Sequence, residues 1–311
     1  MKDENHGSSA TSRLLYQDAL TKDIISRVLS EGTLDKNPRP QWIDDIINGC
    51  EQKTPAHTLS INHVMTTYDL SKGQIPLITL RPIATGSAVK EILWIYQDQS
   101  NSLDILENKY NIHWWNEWDV GDRTIGIRYG ETVRRHNLMN KLLDGLKNDP
   151  DGRRHIISMW QEDDFEKDTK GLKPCAYQTT WNVRHEDGSH EGIPAGDYLD
   201  MCLFQRSSDF ITAGCINQTQ YAMFLAMVAQ ATEYIAGRFT WYVANLQIYD
   251  RHISAAKELL RRKSVECSPR IWINPEIHDW YDFTPDDVRI EGYPREEIKK
   301  QNPQIKLQVA V

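Results

Sequence analysis

A cysteine that follows a proline at the head of an alternating run invites a chemical reading. In "GLKPCAYQTTWNV", residues 171–183, Cys175 sits where a loop becomes a strand. Pro174 has no N–H to donate and a fixed φ, which suits the edge or beginning of a strand. Beyond it Tyr177, Thr179, Trp181 and Val183 share one face, and Gln178, Thr180, Asn182 and Arg184 the other. The thiol is then either a buried structural group, the commoner fate of a free cysteine, or a nucleophile. Arg206 and Ser207 in "FQRSSD" combine a planar charged fork with hydroxyl donors, the set that a phosphate monoester asks for. A cation beside Cys175 would also favour its thiolate, which joins the two features in one site. Arg153 and Arg154 in "GRRHIISMW" form a second basic pair; read alone, such a pair is most often solvated surface. Glu91 lies beside the helical stripe of Val89, Ile92, Leu93 and Tyr96, either snorkelling to water or held as a buried functional carboxylate.

These groups need a fold to bring them together. With 311 residues the chain is long enough to bury a sizeable core. A formal net charge of −8 argues against a general nucleic-acid binder, although a local basic cluster can still hold one phosphate. Cys50, Cys175, Cys202, Cys215 and Cys267 are widely spaced and form no C-x-x-C pair, which argues against a disulfide framework or zinc site and for a reducing cytosol. The polar opening "MKDENHGSSATSR" and the lack of any long apolar run predict a cytoplasmic protein without a membrane span. Residues 1–12 read as disordered and 13–311 as one domain. Helices are predicted at "YQDALTKDIISRVLSEG", "GSAVKEILWIYQDQ", "ETVRRHNLMNKLLDGLKN" and "ISAAKELLRR", with "QTQYAMFLAMVAQATEYI" as a buried central helix. Strands are predicted at "HTLSINHVM", "PLITL", "RRHIISMW", "CAYQTTWNV", "YLDMCLFQ" and "RFTWYVANLQIY". The sum is a single α+β domain.

"KPCAYQTTWNV", "LFQRSSDF", Asn217 in "GCINQTQYA" and "LQIYDRH" stand in the order and at about the spacing of the thymidylate synthase family. "TPAHTLS", "KEILWIYQ", "RRHIISMW" and the terminal "IKLQVAV" extend the resemblance from about residue 20 to the C-terminus. It implies a large mixed β-sheet flanked by helices and the reductive methylation of dUMP to dTMP, with 5,10-methylenetetrahydrofolate as co-substrate and no metal. Cys175 would attack C6 of the pyrimidine, Glu91 would organise a proton-relay water, and Tyr129 in "IRYGE" would serve the same step. Arg206 and Ser207 match phosphate ligands. Arg153 and Arg154 match the pair supplied by a second subunit, which makes a homodimer obligatory. Arg39 is the candidate for a further phosphate arginine, with Lys53 its rival. Asn217 matches the amide that reads the pyrimidine edge, Asp209 a pterin ligand, Trp115 and Trp118 an aromatic wall, and the tail ending at Val311 a closing segment.

The chain departs from the family pattern near the substrate. Ala176 replaces the usual histidine after the nucleophile, Gln247 with Tyr249 replaces the H-x-Y pair that holds the sugar hydroxyl, and "AGCI" precedes Asn217. Reductive methylation of dUMP therefore ranks first and folate-dependent hydroxymethylation of dUMP, dCMP or CMP second. A catalytically silent nucleotide binder is opposed by the presence of Cys175, Glu91, Tyr129, Arg206 and Asp209 together. A folate-free nucleotide hydrolase ranks lower still, since no metal-ligand cluster or triad spacing is visible.

Overall fold

Strands of alternating burial assemble into one dominant sheet against a helix that is apolar almost all round. A computed structural model describes residues 11–47 and 50–310. The chain runs through α1 (Thr11–Glu31), β1 (Thr33–Leu34), β2 (Gln41–Ile47), β3 (Cys50–Pro55), β4 (Thr58–Asp69), α2 (Thr85–Ile92) and α3 (Leu103–Tyr110). It continues through α4 (Gly130–His136), α5 (Leu138–Asn148), β5 (Ile156–Ser158), α6 (Glu162–Lys167), β6 (Ala176–Glu186) and β7 (Gly196–Asp209). The last elements are α7 (Cys215–Ala231), β8 (Ile235–Tyr249), α8 (Ile253–Arg261), β9 (Arg270–Ile273), β10 (Val288–Glu291) and α9 (Arg295–Gln301).

Six strands pair in the order β1-β4-β8-β7-β6-β5. All neighbours are antiparallel except β7 and β8, and that parallel pair is bridged by α7 as its crossover. The fold is thus α+β with a large mixed sheet, as expected. Phe224 on α7 anchors the core: its ring lies 4.2 Å from Tyr96, 5.3 Å from Trp181 and 5.5 Å from Trp280, centroid to centroid. Burial on this scale leaves no water for the fully buried polar side chains of α7, so Gln218, Thr219 and Gln220 find protein partners. Gln218 accepts from Tyr68 Oη at 2.8 Å, Thr219 donates to the Pro76 carbonyl at 2.6 Å, and Gln220 donates to the Ala88 carbonyl at 3.2 Å and to Glu91.

Three expectations change. "PLITL" is no strand: its backbone is satisfied by side chains, Thr79 N–H donating to Asp18 at 2.9 Å and Asn302 to the Thr79 carbonyl at 2.9 Å, while Leu77, Ile78 and Leu80 are buried. "ETVRRHNLMNKLLDGLKN" is two helices, because Asn137 adopts a left-handed conformation, φ 52°, that ends α4 and redirects the chain. "GSAVKEILWIYQDQ" is α-helical only to Ile92 and continues as a π-helical turn, Leu93–Gln97. The hairpins β2–β3 and β9–β10 were not foreseen. The expected disordered opening falls outside the described residues up to residue 10, and residues 11 and 12 already lie in α1.

Tyr129 enters α4 with φ 48° and ψ −109°, a sparsely populated conformation for a residue with a side chain. The next residue, Gly130, lets the backbone pass against Ser100: a Cβ there would lie 2.2 Å from the Ser100 carbonyl oxygen. We expect Gly130→Ala to lower unfolding free energy by about 1–3 kcal/mol, measured by urea denaturation, and an unchanged midpoint would refute this close-approach constraint.

Candidate active site

The turn Lys173–Pro174–Cys175 carries carbonyls that β6 does not pair, and β7 supplies the group that collects them. Arg206 Nε donates to the Pro174 carbonyl at 3.0 Å and Nη2 to the Lys173 carbonyl at 2.7 Å. Nη2 also lies 3.4 Å from Cys175 Sγ, and the Arg206 backbone N–H donates to the Cys175 carbonyl at 2.9 Å. Guanidinium has five N–H donors, and among the described residues the two on Nη1 stay uncommitted. On the other side of the turn, the Cys175 N–H donates to Tyr129 Oη at 3.1 Å. Because that oxygen accepts, the tyrosine's own hydrogen remains able to donate to a ligand beside the thiol.

Behind Tyr129 stands an aromatic and acidic wall. The rings of Tyr129 and Trp115 meet edge-to-face at 5.1 Å, and Trp115 meets Trp118 at 5.5 Å. Trp115 Nε1 donates to Glu91 Oε1, Trp114 Nε1 lies 3.4 Å from the same oxygen, and Gln220 Nε2 donates to Oε2 at 2.9 Å. Burial of the carboxyl pushes Glu91 above its ordinary pKa against the pull of these donors, first Trp115, then Gln220 and Trp114. The snorkelling reading does not fit, since three side-chain donors hold the carboxylate in place.

The end of β7 carries the other expected groups. In the parallel register Ser207 lies opposite Asn245 and Asp209 opposite Gln247. Asp209 accepts from the Ile211 and Thr212 N–H groups at 3.2 and 3.4 Å and from the Thr212 hydroxyl, so it caps a π-helical turn, Phe210–Gly214, that leads into α7. Asn217, half-buried in the first turn of α7, is engaged by no other described side chain. Tyr249 is buried at the end of β8, and burial, then Asp209 and Cys175, raise its pKa.

Not every expected residue gathers here. Arg39 and its rival Lys53 are exposed, on the loop before β2 and on β3. Arg153 and Arg154 are exposed just before β5, whose register sets Ile156 against Thr180 and Ser158 against Gln178. Continued, that register places Arg154 opposite Asn182, seven residues up β6 from Cys175, roughly 20 Å at strand spacing. Within one chain the pair cannot serve the Cys175 site. Val311 lies outside the described residues; its neighbour Ala310 packs with Trp42 and Tyr249.

The family model described as thymidylate synthase matches residues 21–311. The chain belongs to the thymidylate synthase family. It is similar to the thymidylate synthase of Streptococcus pneumoniae strain TIGR4, 43% identical over 94% of this chain and 99% of that protein. That of Streptococcus sanguinis strain SK36 is 42% identical over the same shares. Among solved structures, the thermostable thymidylate synthase A from Bacillus subtilis superposes with a TM-score of 0.80, at 33% identity, covering 95% of this chain and 99% of that one.

Two residues that hold Glu91 escaped the sequence reading: Gln220 and Trp114. Gln220 had a usable signal, since an amide in a helix apolar on all sides must have a buried partner. Trp114 had none, since nothing in the run around it names Glu91 as its partner.

The thiol itself corrects one expectation. Arg206 does favour the thiolate, but burial outweighs it and the Cys175 pKa is raised in the free chain. Cys202 and Cys215 are pushed up to about 11 and Cys267 to about 12, all chiefly by burial. We therefore expect the alkylation rate of Cys175 by iodoacetamide to climb through pH 9 without levelling, and Arg206→Gln to slow it about tenfold for each pKa unit added. A plateau below pH 8, read by peptide mass spectrometry, would contradict this balance.

Proposed function

We propose that the chain catalyses reductive methylation of dUMP at C5, with Cys175 as the nucleophile toward C6. The carrying observation is the Arg206 guanidinium on Cys175 Sγ, in a turn whose other side is held by Tyr129. The two free N–H groups on Nη1, with Ser207 on the same strand, suit a phosphate oxygen beside the thiol. A bound phosphate would leave the cation's contact with sulfur in place while excluding water. Addition of the thiolate to C6 forms a C–S bond and turns C5 into the carbon nucleophile. Glu91, its pKa raised by burial, and Tyr129 are the groups available to move protons at C4 and C5. In this reading Asn217 would donate to and accept from the base edge, and Gln247 and Tyr249 would reach the sugar hydroxyl.

The 5,10-methylenetetrahydrofolate co-substrate supplies the one-carbon unit and the reducing equivalents. The angled rings of Trp115 and Trp118, the Asp209 carboxylate and the tail are the groups that would receive such a pteridine ring. The names of the relatives favour this reaction over hydroxymethylation. A cytosolic setting accords with the free thiols of Cys175, Cys202, Cys215 and Cys267.

We infer a homodimer from two features. The stranded pair Arg153 and Arg154 needs a thiol site other than its own chain's. The sheet face turned away from α7 also presents Met65, Phe204 and Tyr242, with Met65 66% exposed. A back-to-back pair of sheets would cover this face and bring each arginine pair toward the opposite site.

Incubation with methylenetetrahydrofolate and dUMP, dCMP or CMP should yield dihydrofolate and a methylated product from dUMP alone. Hydroxymethylated nucleotide without dihydrofolate would overturn the reading. Glu91→Gln should lower kcat a hundredfold or so while leaving nucleotide binding intact. Mixing inactive Cys175→Ser and Arg154→Ala proteins should restore about a quarter of wild-type activity, since half of randomly formed dimers carry one intact site. No recovery after subunit exchange would refute shared sites.

A further inference from the structure

His252 is buried, 1% exposed, where three segments meet. Its Nε2 lies 2.9 Å from the Gln308 carbonyl oxygen in the C-terminal segment, and its Nδ1 3.5 Å from Asp209 Oδ2 at the end of β7. The ring stands edge-on to Trp42 of β2 and Tyr249 of β8, 5.7 Å from each centroid. Arg251 grips the other end of the same tail residue: Nη1 donates to Gln308 Oε1 at 3.0 Å, while the guanidinium lies 4.6 Å from the Trp42 ring. Gln308 is therefore held twice, by a titratable ring at its backbone and a permanent cation at its side chain.

A neutral imidazole offers one donor and one acceptor. The two groups facing His252, a backbone carbonyl and a carboxylate, are both acceptors, so only imidazolium can satisfy both. We propose that His252 is a positioning residue whose protonated ring latches the C-terminal segment to Asp209 and so holds the cofactor side of the site closed. This deepens the reading of Asp209 and the tail given above, and rests on it.

The charged and titratable groups around the ring are Asp209 from β7, Asp250 and Arg251 from its own turn, and Tyr249 at the end of β8. Asp35, on the loop after β1, acts on Tyr249 behind it. Burial is the largest influence on His252 and favours the neutral ring, yet Asp209, the Gln308 carbonyl and Asp250 together lift it above the ordinary histidine value. The latch is then complete below about pH 6.5 and is released as pH rises through the lifted pKa.

The test needs neither nucleotide nor folate, so its outcome is separable from the substrate reading. Amide-exchange protection factors for residues 305–310, corrected for intrinsic rates, are compared at about pH 6 and pH 9. Wild type should lose about tenfold protection at the higher pH, and His252→Gln should show the lower protection at both. Gln308→Ala, which removes the Arg251 contact without changing charge, should weaken protection at both pH values but keep the pH dependence. By reciprocity it should also lower the His252 pKa followed by NMR, a readout that does not require His252→Gln to fold. Tail protection in wild type that ignores pH, or a His252 titration unmoved by Gln308→Ala, would overturn the proposal.

Discussion

The Arg206 guanidinium, lying across the turn Lys173–Pro174–Cys175, is the interaction on which the site depends. A proline turn entering a strand exposes carbonyls with no neighbouring strand to pair them, and leaving them dry and unpaired is costly. One planar fork satisfies the Lys173 and Pro174 carbonyls, and the backbone of the same residue satisfies the Cys175 carbonyl. That arrangement leaves the sulfur against a fixed positive charge and still spares donors for an anion. A lysine could not do the same, because a single ammonium cannot span two carbonyls and a sulfur in one plane.

The second constraint comes from α7. Its apolar surface fixes the sheet and α2 against it, and its few polar residues turn into positioning devices because the core offers them no water. Gln220 holds Glu91 from behind while Trp114 and Trp115 hold it from the front. Local irregularity collects around the same place: a π-helical turn follows α2 directly, another joins Asp209 to α7, and Tyr129 sits in a strained conformation. Such departures from regular backbone are found where a side chain has to be aimed rather than merely packed.

Much of this was legible in the residues. Alternation along β4, β6, β7 and β8 and the uniform apolarity of α7 are signals of local period, and they predicted the right elements. "PLITL" misled because a short apolar run reads the same whether its backbone pairs with a strand or with the side chains of Asp18 and Asn302. The break at Asn137 turned on a backbone angle that no periodicity reveals. In the site, Cys175, Arg206 and Glu91 were visible from their residue types and Tyr129 through family resemblance, and the structure brings them into one neighbourhood. Arg153 and Arg154 were assigned to a second subunit by resemblance alone; the strand register shows only that they lie away from their own chain's Cys175. His252 stood in the quoted "LQIYDRH", but its contacts, a carboxylate 43 residues before and a carbonyl 56 residues after it, could not be read there.

The central claim is that Cys175, and no other cysteine, bonds to the pyrimidine. Intact-mass and peptide analysis after incubation with methylenetetrahydrofolate and 5-fluoro-dUMP tests it most directly, because fluorine at C5 cannot leave as a proton does and the adduct accumulates. A stoichiometric covalent complex should form on the peptide containing Cys175 and disappear in Cys175→Ser. An unmodified chain that still turns over dUMP, or an adduct on Cys202, Cys215 or Cys267, would contradict it.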